Sequence, residues 1–262
     1  MLNRPRTADK GFSLVELSIV LVILGLLVGG ILAGQSLIRA SELRAVTSEN
    51  QRYTTAMGAF RDKYFAIPGD FARASSGFAW TGAADGDGDG MVEGSTTAAS
   101  NETGHFWHQL VAAGLVEGSY TPASWAAVGT TATSPKSKLP LAFWQMRYVA
   151  PVGVDDTVIG TTGGATNVMY EGNYQDAFFL MSGTTLVTPS GGVLRPEEAW
   201  NIDTKMDDGR PALGIVLSLE SQGHATAGCA NPAGLATTSA AAAYDLDNTS
   251  ATACSLVIKS GY

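Results

Sequence analysis

Two hydrophobic patterns follow one another along the first seventy residues. From Leu17 to Ile38 there are 22 consecutive residues without a charge. Nearly all are apolar, on every side of a would-be helix. Beyond Arg39 the pattern thins to one face. Leu37, Leu43, Val46, Tyr53, Met57, Phe60 and Tyr64 recur at spacings of three, four, six and seven, which predicts an amphipathic helix. Pro68 and Gly69 stop it. No proline interrupts the two stretches, so one helix is expected over 12–66. From Phe12 to Lys63 it would run about 78 Å, longer than an ordinary domain core needs.

After residue 67 the pattern is that of a folded head, 67–262. Residues 72–100 are rich in Ala, Gly, Ser and Thr and show no period. Residues 101–115 predict a short helix with Asn101 as its cap, Gly114 as its stop and a core face of Phe106, Trp107, Leu110 and Val111. Strands are expected at 141–150, Val168–Tyr170, Ala177–Met181, Leu213–Leu219 and Leu256–Lys259, separated by Gly-rich breaks. Pro196 followed by two acids predicts a helix at Pro196–Trp200. A long helix followed by short strands predicts an α+β architecture, with the N-terminal helix packed on an antiparallel β-sheet head.

Length allows one or two domains. With 45% hydrophobic and 15% charged residues among 262, the chain is neither collagen-like nor disordered, and two cysteines make no disulfide-dense scaffold. Net charge is -8, which argues against direct nucleic-acid binding, since phosphate contacts need clustered Lys and Arg. The uncharged run argues against a water-soluble cytoplasmic enzyme. As a helix it would span about 33 Å, matching a hydrocarbon core of roughly 30 Å. Residues 1–11 carry Arg4, Arg6 and Lys10 against Asp9, so the remaining residues carry -10. The positive-inside rule puts the N-terminus in the cytoplasm and the head outside a single-pass span over about 17–38. An ordinary cleaved secretory signal would be shorter and would end at a small-residue site. Glu16, at the edge of the run, reads either as an interfacial carboxylate or as a buried partner for a cation.

Lys10-Gly11-Phe12-Ser13-Leu14-Val15-Glu16-Leu17, followed by the apolar run, resembles the class III signal of type IV pilins and type II secretion pseudopilins. The resemblance covers about residues 10–35 and the rest only in outline. It implies a leader over 1–11, a prepilin peptidase cutting after Gly11, and N-methylation of Phe12. It also implies that Glu16 pairs with the N-terminal amine of a neighbouring subunit during assembly. The implied partners are other pilin or pseudopilin subunits and an inner-membrane assembly platform. The implied location is the bacterial cytoplasmic membrane, then a periplasmic or extracellular filament. Many type IVa pilins have Pro where Ala33 stands; this chain has Gly25, Gly29, Gly30 and Gly34 instead. They suit either local unwinding on assembly or close helix packing.

Within the head, Asp85-Gly86-Asp87-Gly88-Asp89-Gly90-Met91-Val92-Glu93 places oxygen donors on alternate residues of a tight loop. It resembles the first half of an EF-hand loop, with Asp85, Asp87 and Asp89, the Met91 carbonyl and Glu93 as ligands. Thr96 stands where the bidentate Glu belongs, and Glu102 is the nearest replacement. A Ca2+ site and a solvated acidic turn are both open, although three acids this close repel each other without a cation. Asp203, Asp207 and Asp208 could hold a second cation; a turn tied by Lys205 is the simpler reading. His105 and His108 lie one turn apart without an evident third ligand. Cys229 and Cys254 enclose 24 residues. In an oxidising compartment a bridge is expected, worth about 3 kcal/mol; two free thiols are the alternative. The resemblance implies the same pairing.

No nucleophile elbow, phosphate loop or dinucleotide fingerprint appears, so the expectation is no enzyme. The leading reading is a structural subunit, a minor pilin or pseudopilin of a type IV pilus or type II secretion filament. The alternative is a calcium-ordered adhesin or substrate-binding module delivered by a pilin-like anchor.

Overall fold

Ser13 and Glu16 close the start of the first helix on each other. The Ser13 N–H donates to Glu16 Oε2 at 2.8 Å and the Glu16 N–H donates to Ser13 Oγ at 3.2 Å. This is a capping box, Ser-x-x-Glu, in which each residue satisfies a backbone donor of the other. From it runs helix α1, Leu14–Tyr64, 51 residues long. The computed structural model describes residues 12–93, 102–122, 132–148, 176–182, 192–220, 228–231, 242–249 and 252–261. The chain divides into two compact units, Met1–Glu42 and Leu43–Tyr262.

The first unit, where described, is helix. From Phe12 to Ile38 its large apolar side chains stand exposed on every side. The two serines of the apolar stretch donate to carbonyls of their own helix: Ser18 Oγ to Val15 O and Ser36 Oγ to Ala33 O, both 2.9 Å. A helix that satisfies its own polar groups is what a lipid environment demands. Leu37, expected on the amphipathic face, is 72% exposed and belongs with this stretch. At its end Arg39 pairs with Glu42 at 3.0 Å.

The second unit begins with the amphipathic part of α1. Val46, Asn50, Tyr53, Ala56, Met57 and Phe60 are buried, one face at steps of three and four. The helix ends at Tyr64, and Phe65 adopts a left-handed φ of 56°. Strands β1 (Ala142–Tyr148), β2 (Asp176–Ser182), β3 (Val216–Glu220) and β6 (Cys254–Lys259) form one antiparallel sheet in the order β1-β2-β6-β3. A two-stranded ribbon pairs β4 (Ala230–Asn231) with β5 (Ala243–Tyr244). Trp144 of β1 lies opposite Leu180 of β2, and Phe178 of β2 opposite Ile258 of β6. These inward residues meet α1: the Tyr53 ring sits edge-on to Trp144 at 5.7 Å and to Trp107 at 4.8 Å.

Helix α2, Glu102–Ala112, supplies Trp107 along with Phe106 and Leu110. Gly114, at φ 73°, ends it in the left-handed conformation that favours glycine. Helix α3, Pro196–Met206, extends six residues beyond the expected Trp200; Glu198 accepts the Arg195 N–H at its start. The other side of the sheet is also buried, at Gln145, Phe179, Leu217 and Val257. That explains why β2 reads as a continuous apolar run rather than an alternation.

The α+β architecture and the antiparallel sheet are as expected. The strand expected at 141–150 begins one residue later, after Leu141 takes φ 63°. The strand expected from Leu213 begins at Val216, because the Asp207 carboxylate takes the N–H groups of Ile215 and Val216 and bends the chain there. The expected strand Val168–Tyr170 and the cap Asn101 lie outside the described residues.

Candidate functional site

Two places carry chemistry, and they are built differently. At the N-terminus Gly11 lies outside the described residues; Phe12 is 83% exposed and Glu16 is exposed. Glu16 is engaged with Ser13, next to the Phe12–Ser13 bond. Beside the two readings of Glu16 as an interfacial acid or a cation partner, the structure adds a third role, and Ser-x-x-Glu is its local signature.

The second place is residues 84–93, a segment without helix or strand whose backbone is nevertheless held at almost every residue. The Gly86 N–H donates to Phe71 O at 3.1 Å. The next seven N–H groups in succession all donate to carboxylates. Asp87 N–H reaches Glu102 Oε1 at 3.1 Å, Gly88 N–H reaches Asp70 Oδ1 at 2.6 Å, and Asp89 N–H reaches Asp87 Oδ1 at 3.1 Å. Gly90 N–H reaches Asp70 Oδ2 at 2.9 Å and Met91 N–H reaches Asp89 Oδ1 at 2.8 Å. Val92 N–H reaches Asp176 Oδ1 at 2.9 Å and Glu93 N–H reaches Glu102 Oε2 at 3.0 Å.

Three of these acids come from outside the segment and are buried. Asp70 follows the end of α1, Glu102 opens α2 and Asp176 opens β2; they are 3%, 6% and 1% exposed. The packing is close. A Cβ on Gly86 would lie 2.3 Å from the Asp70 carbonyl carbon, and one on Gly69, at φ 94°, would lie 2.7 Å from Glu102 O. Only glycine fits at either position. An open cavity lined by Arg61, Tyr64, Phe71, Arg73 and the two loop glycines Gly88 and Gly90 reaches Asp70.

Burial dominates the electrostatics. Desolvation pushes the Glu102 and Asp176 carboxyls up to about 7, and raises Asp70 and Glu93 above the ordinary range. Neighbouring acids add to each rise, and Arg147 offsets part of it at Glu93.

Ligand-capable oxygens of Asp70, Asp87 and Glu102 lie within 4.8 Å of one another, as do those of Asp87, Asp89 and Glu93. Asp87, Asp89, Glu93 and Glu102 of the expected set are thus brought together. Asp85 is not. Its Oδ1 accepts the N–H groups of Ser75 at 2.7 Å and Ser76 at 3.2 Å, which lowers its pKa and ties it to the turn over 72–78. Met91 enters through its N–H, bonded to Asp89. Thr96 lies outside the described residues. Asp70 and Asp176 were missed. No local signal marks them, because they sit at an Asp after a helix stop and an Asp at a strand start.

His105 and His108 do not converge. His105 Nδ1 accepts the Ala84 N–H at 3.2 Å, while His108 meets the carbonyls of Tyr120 and Thr81. Asp203, Asp207 and Asp208 do come within 4.8 Å of one another. Lys205 is exposed and makes no ion pair with these acids among the described residues. Asp203 accepts the Tyr244 hydroxyl at 2.8 Å and the Gly209 N–H at 3.2 Å, and Asp208 accepts the Arg210 N–H at 2.9 Å. Cys229 and Cys254 are joined as a disulfide that ties the start of β6 to the residue before β4.

Residues 6–32 match the family described as the prokaryotic N-terminal methylation motif. No curated protein and no solved structure matches the chain. That motif is the class III prepilin signal of type IV pilins and pseudopilins, matched here over residues 6–32.

Proposed function

We propose that this chain is a structural subunit, a minor pilin or pseudopilin, of a type IV pilus or type II secretion filament. The observation that carries the reading is one of register: the methylation motif over residues 6–32 runs directly into a helix whose apolar side chains are exposed on every side. Such a helix needs lipid or other helices around it. It serves both needs in turn, first as the membrane anchor and then as the packed centre of a filament. Moving it from lipid into a stack of helices gains little hydrophobic energy, because lipid tails are as apolar as leucine. Close packing and charge pairing must supply the rest. Gly25, Gly29, Gly30 and Gly34 have nothing within 4 Å of where a Cβ would stand, so they leave room for close approach of a neighbour.

In this reading a prepilin peptidase cuts between Gly11 and Phe12 on the cytoplasmic face and methylates the new Phe12 amine. Glu16 then faces a cation from a neighbouring copy. Within its own chain Glu16 already accepts the Ser13 N–H, so capping and pairing draw on one carboxylate. Substitutions separate the two roles. Gln at the third helical position still closes a capping box but carries no charge. Glu16→Gln is expected to be processed and yet be missing from sheared filaments, whereas Glu16→Gln filaments at wild-type yield would remove charge pairing from the mechanism. A bulky residue in place of Gly11 should leave the leader attached, read by mass spectrometry of the N-terminal peptide. Recovery of Phe12 as the N-terminus of that variant would overturn the processing step.

A further inference from the structure

We propose that Asp70, Asp87 and Glu102 hold one calcium ion, which fastens residues 86–93 to the end of α1 and the start of α2. The donors are all carboxylate oxygens, the chemistry of a hard divalent cation rather than of zinc or copper. Their mutual spacing of at most 4.8 Å is what one ion with ligand distances of about 2.4 Å can bridge. Asp87 is exposed and the cavity beside Asp70 is open, so an ion can enter.

An acidic cluster alone would carry little. The independent observation is Asp176. This side chain is 1% exposed, its Oδ1 is bonded to Val92 of the same segment, and its Oδ2 is buried with no hydrogen-bond partner. The charges acting on it are those of Asp70 and Asp89. A buried carboxylate oxygen without a donor, set against two further acids, is costly to maintain. The principal charges acting on Asp70 and Glu102 are likewise other acids. Arg147 is buried nearby and acts on Glu93. One cation among Asp70, Asp87 and Glu102 supplies positive charge to two buried carboxylates and offsets the Asp70 charge that acts on Asp176. Asp89 and Glu93, which share Asp87 with a second close group, keep the exposed rim acidic and attract the ion.

The ligand set differs from the one the repeat itself suggests. Asp85, the first acid of the repeat, is spent on the turn at Ser75 and Ser76, and Asp70 takes its place. The inference does not rest on the filament reading, since it concerns the second unit alone. It is tested on the purified full chain in detergent, stripped with chelator and titrated with calcium chloride by calorimetry, with a thermal melt of each sample. Saturable binding of one ion per chain and a higher melting temperature are expected. Asp87→Asn should weaken binding by more than about tenfold, and because Asp87 is exposed it should leave the chelated protein folded. Asp85→Asn should bind calcium as the wild type does. No saturable heat at millimolar calcium, or an Asp87→Asn protein that binds normally, would overturn the site. Asp85→Asn losing binding as Asp87→Asn does would overturn this ligand set. Magnesium binding as tightly as calcium would overturn the choice of ion.

Discussion

The two parts of α1 are made of similar residues and obey different physics. In the first unit, Ile23, Leu24, Leu27 and their neighbours are each more than half exposed. Among the described residues nothing distinguishes one face from another. In the second unit, Tyr53, Met57 and Phe60 on the same helix are 1%, 0% and 0% exposed, and each meets named partners. One stretch leaves its apolar surface uncovered, and the other covers it within the chain. A large apolar side chain is therefore part of a core in the second part and exposed in the first, although hydropathy alone ranks the first higher.

The sharpest way to break this contrast is a pair of truncations. Phe60→Ala should cost the folded head about 3–5 kcal/mol, because it empties the packing against Tyr64, Phe71 and Trp80. Leu24→Ala should leave the denaturant midpoint of the detergent-solubilised chain unchanged, followed by tryptophan fluorescence. Equal losses in the two variants would erase the distinction.

A smaller effect separates two glutamates on α1. Glu49 accepts three hydrogen bonds from distant chain: Ser137 Oγ at 2.6 Å, Trp144 Nε1 at 2.7 Å and the Lys138 N–H at 3.0 Å. Glu42, in the first unit, pairs only with Arg39 among the described contacts. Glu49→Ala should destabilise by about 1–3 kcal/mol, and Glu42→Ala by less than about 0.5 kcal/mol. The same unfolding curves measure both, and a Glu42 effect as large as that of Glu49 would contradict the assignment.

The smallest effect is a pH slope confined to the second unit. Burial raises the Asp203 carboxyl to about 6, above its ordinary 3.8. The folded chain then binds this proton more tightly than the unfolded one, so stability rises as pH falls from about 6 toward about 4. Glu102 and Asp176 act in the same direction from about 7 in chelated protein. Asp203→Asn should flatten the urea midpoint between pH 4 and pH 6 by the Asp203 share, while still accepting the Tyr244 hydroxyl. A variant with the wild-type slope would show that Asp203 does not titrate there.

Much of the fold could be read directly. The long helix, α2 and four of the expected strands follow from local sequence: an unbroken apolar run, the helical spacing of apolar residues after it, and the Pro and Gly breaks that bound the strands. Errors fell where a side chain from elsewhere intervened. Asp207 delays β3 to Val216, and among the described residues the contacts of the turn at Asp203–Asp208 are backbone N–H groups and Tyr244, with no ion pair from Lys205. The Ser13–Glu16 capping box is the reverse case, a contact whose whole signal lies within four residues.

From the amino-acid order alone came the N-terminal signal, the apolar helix and the head that follows, because the motif, Glu16 and the apolar run are contiguous and their spacing is their meaning. Which carboxylates share a site was decided only by the tertiary structure. Asp70, Asp87, Glu102 and Asp176 lie on four separate segments, and their charges matter to one another only after folding has removed the water between them.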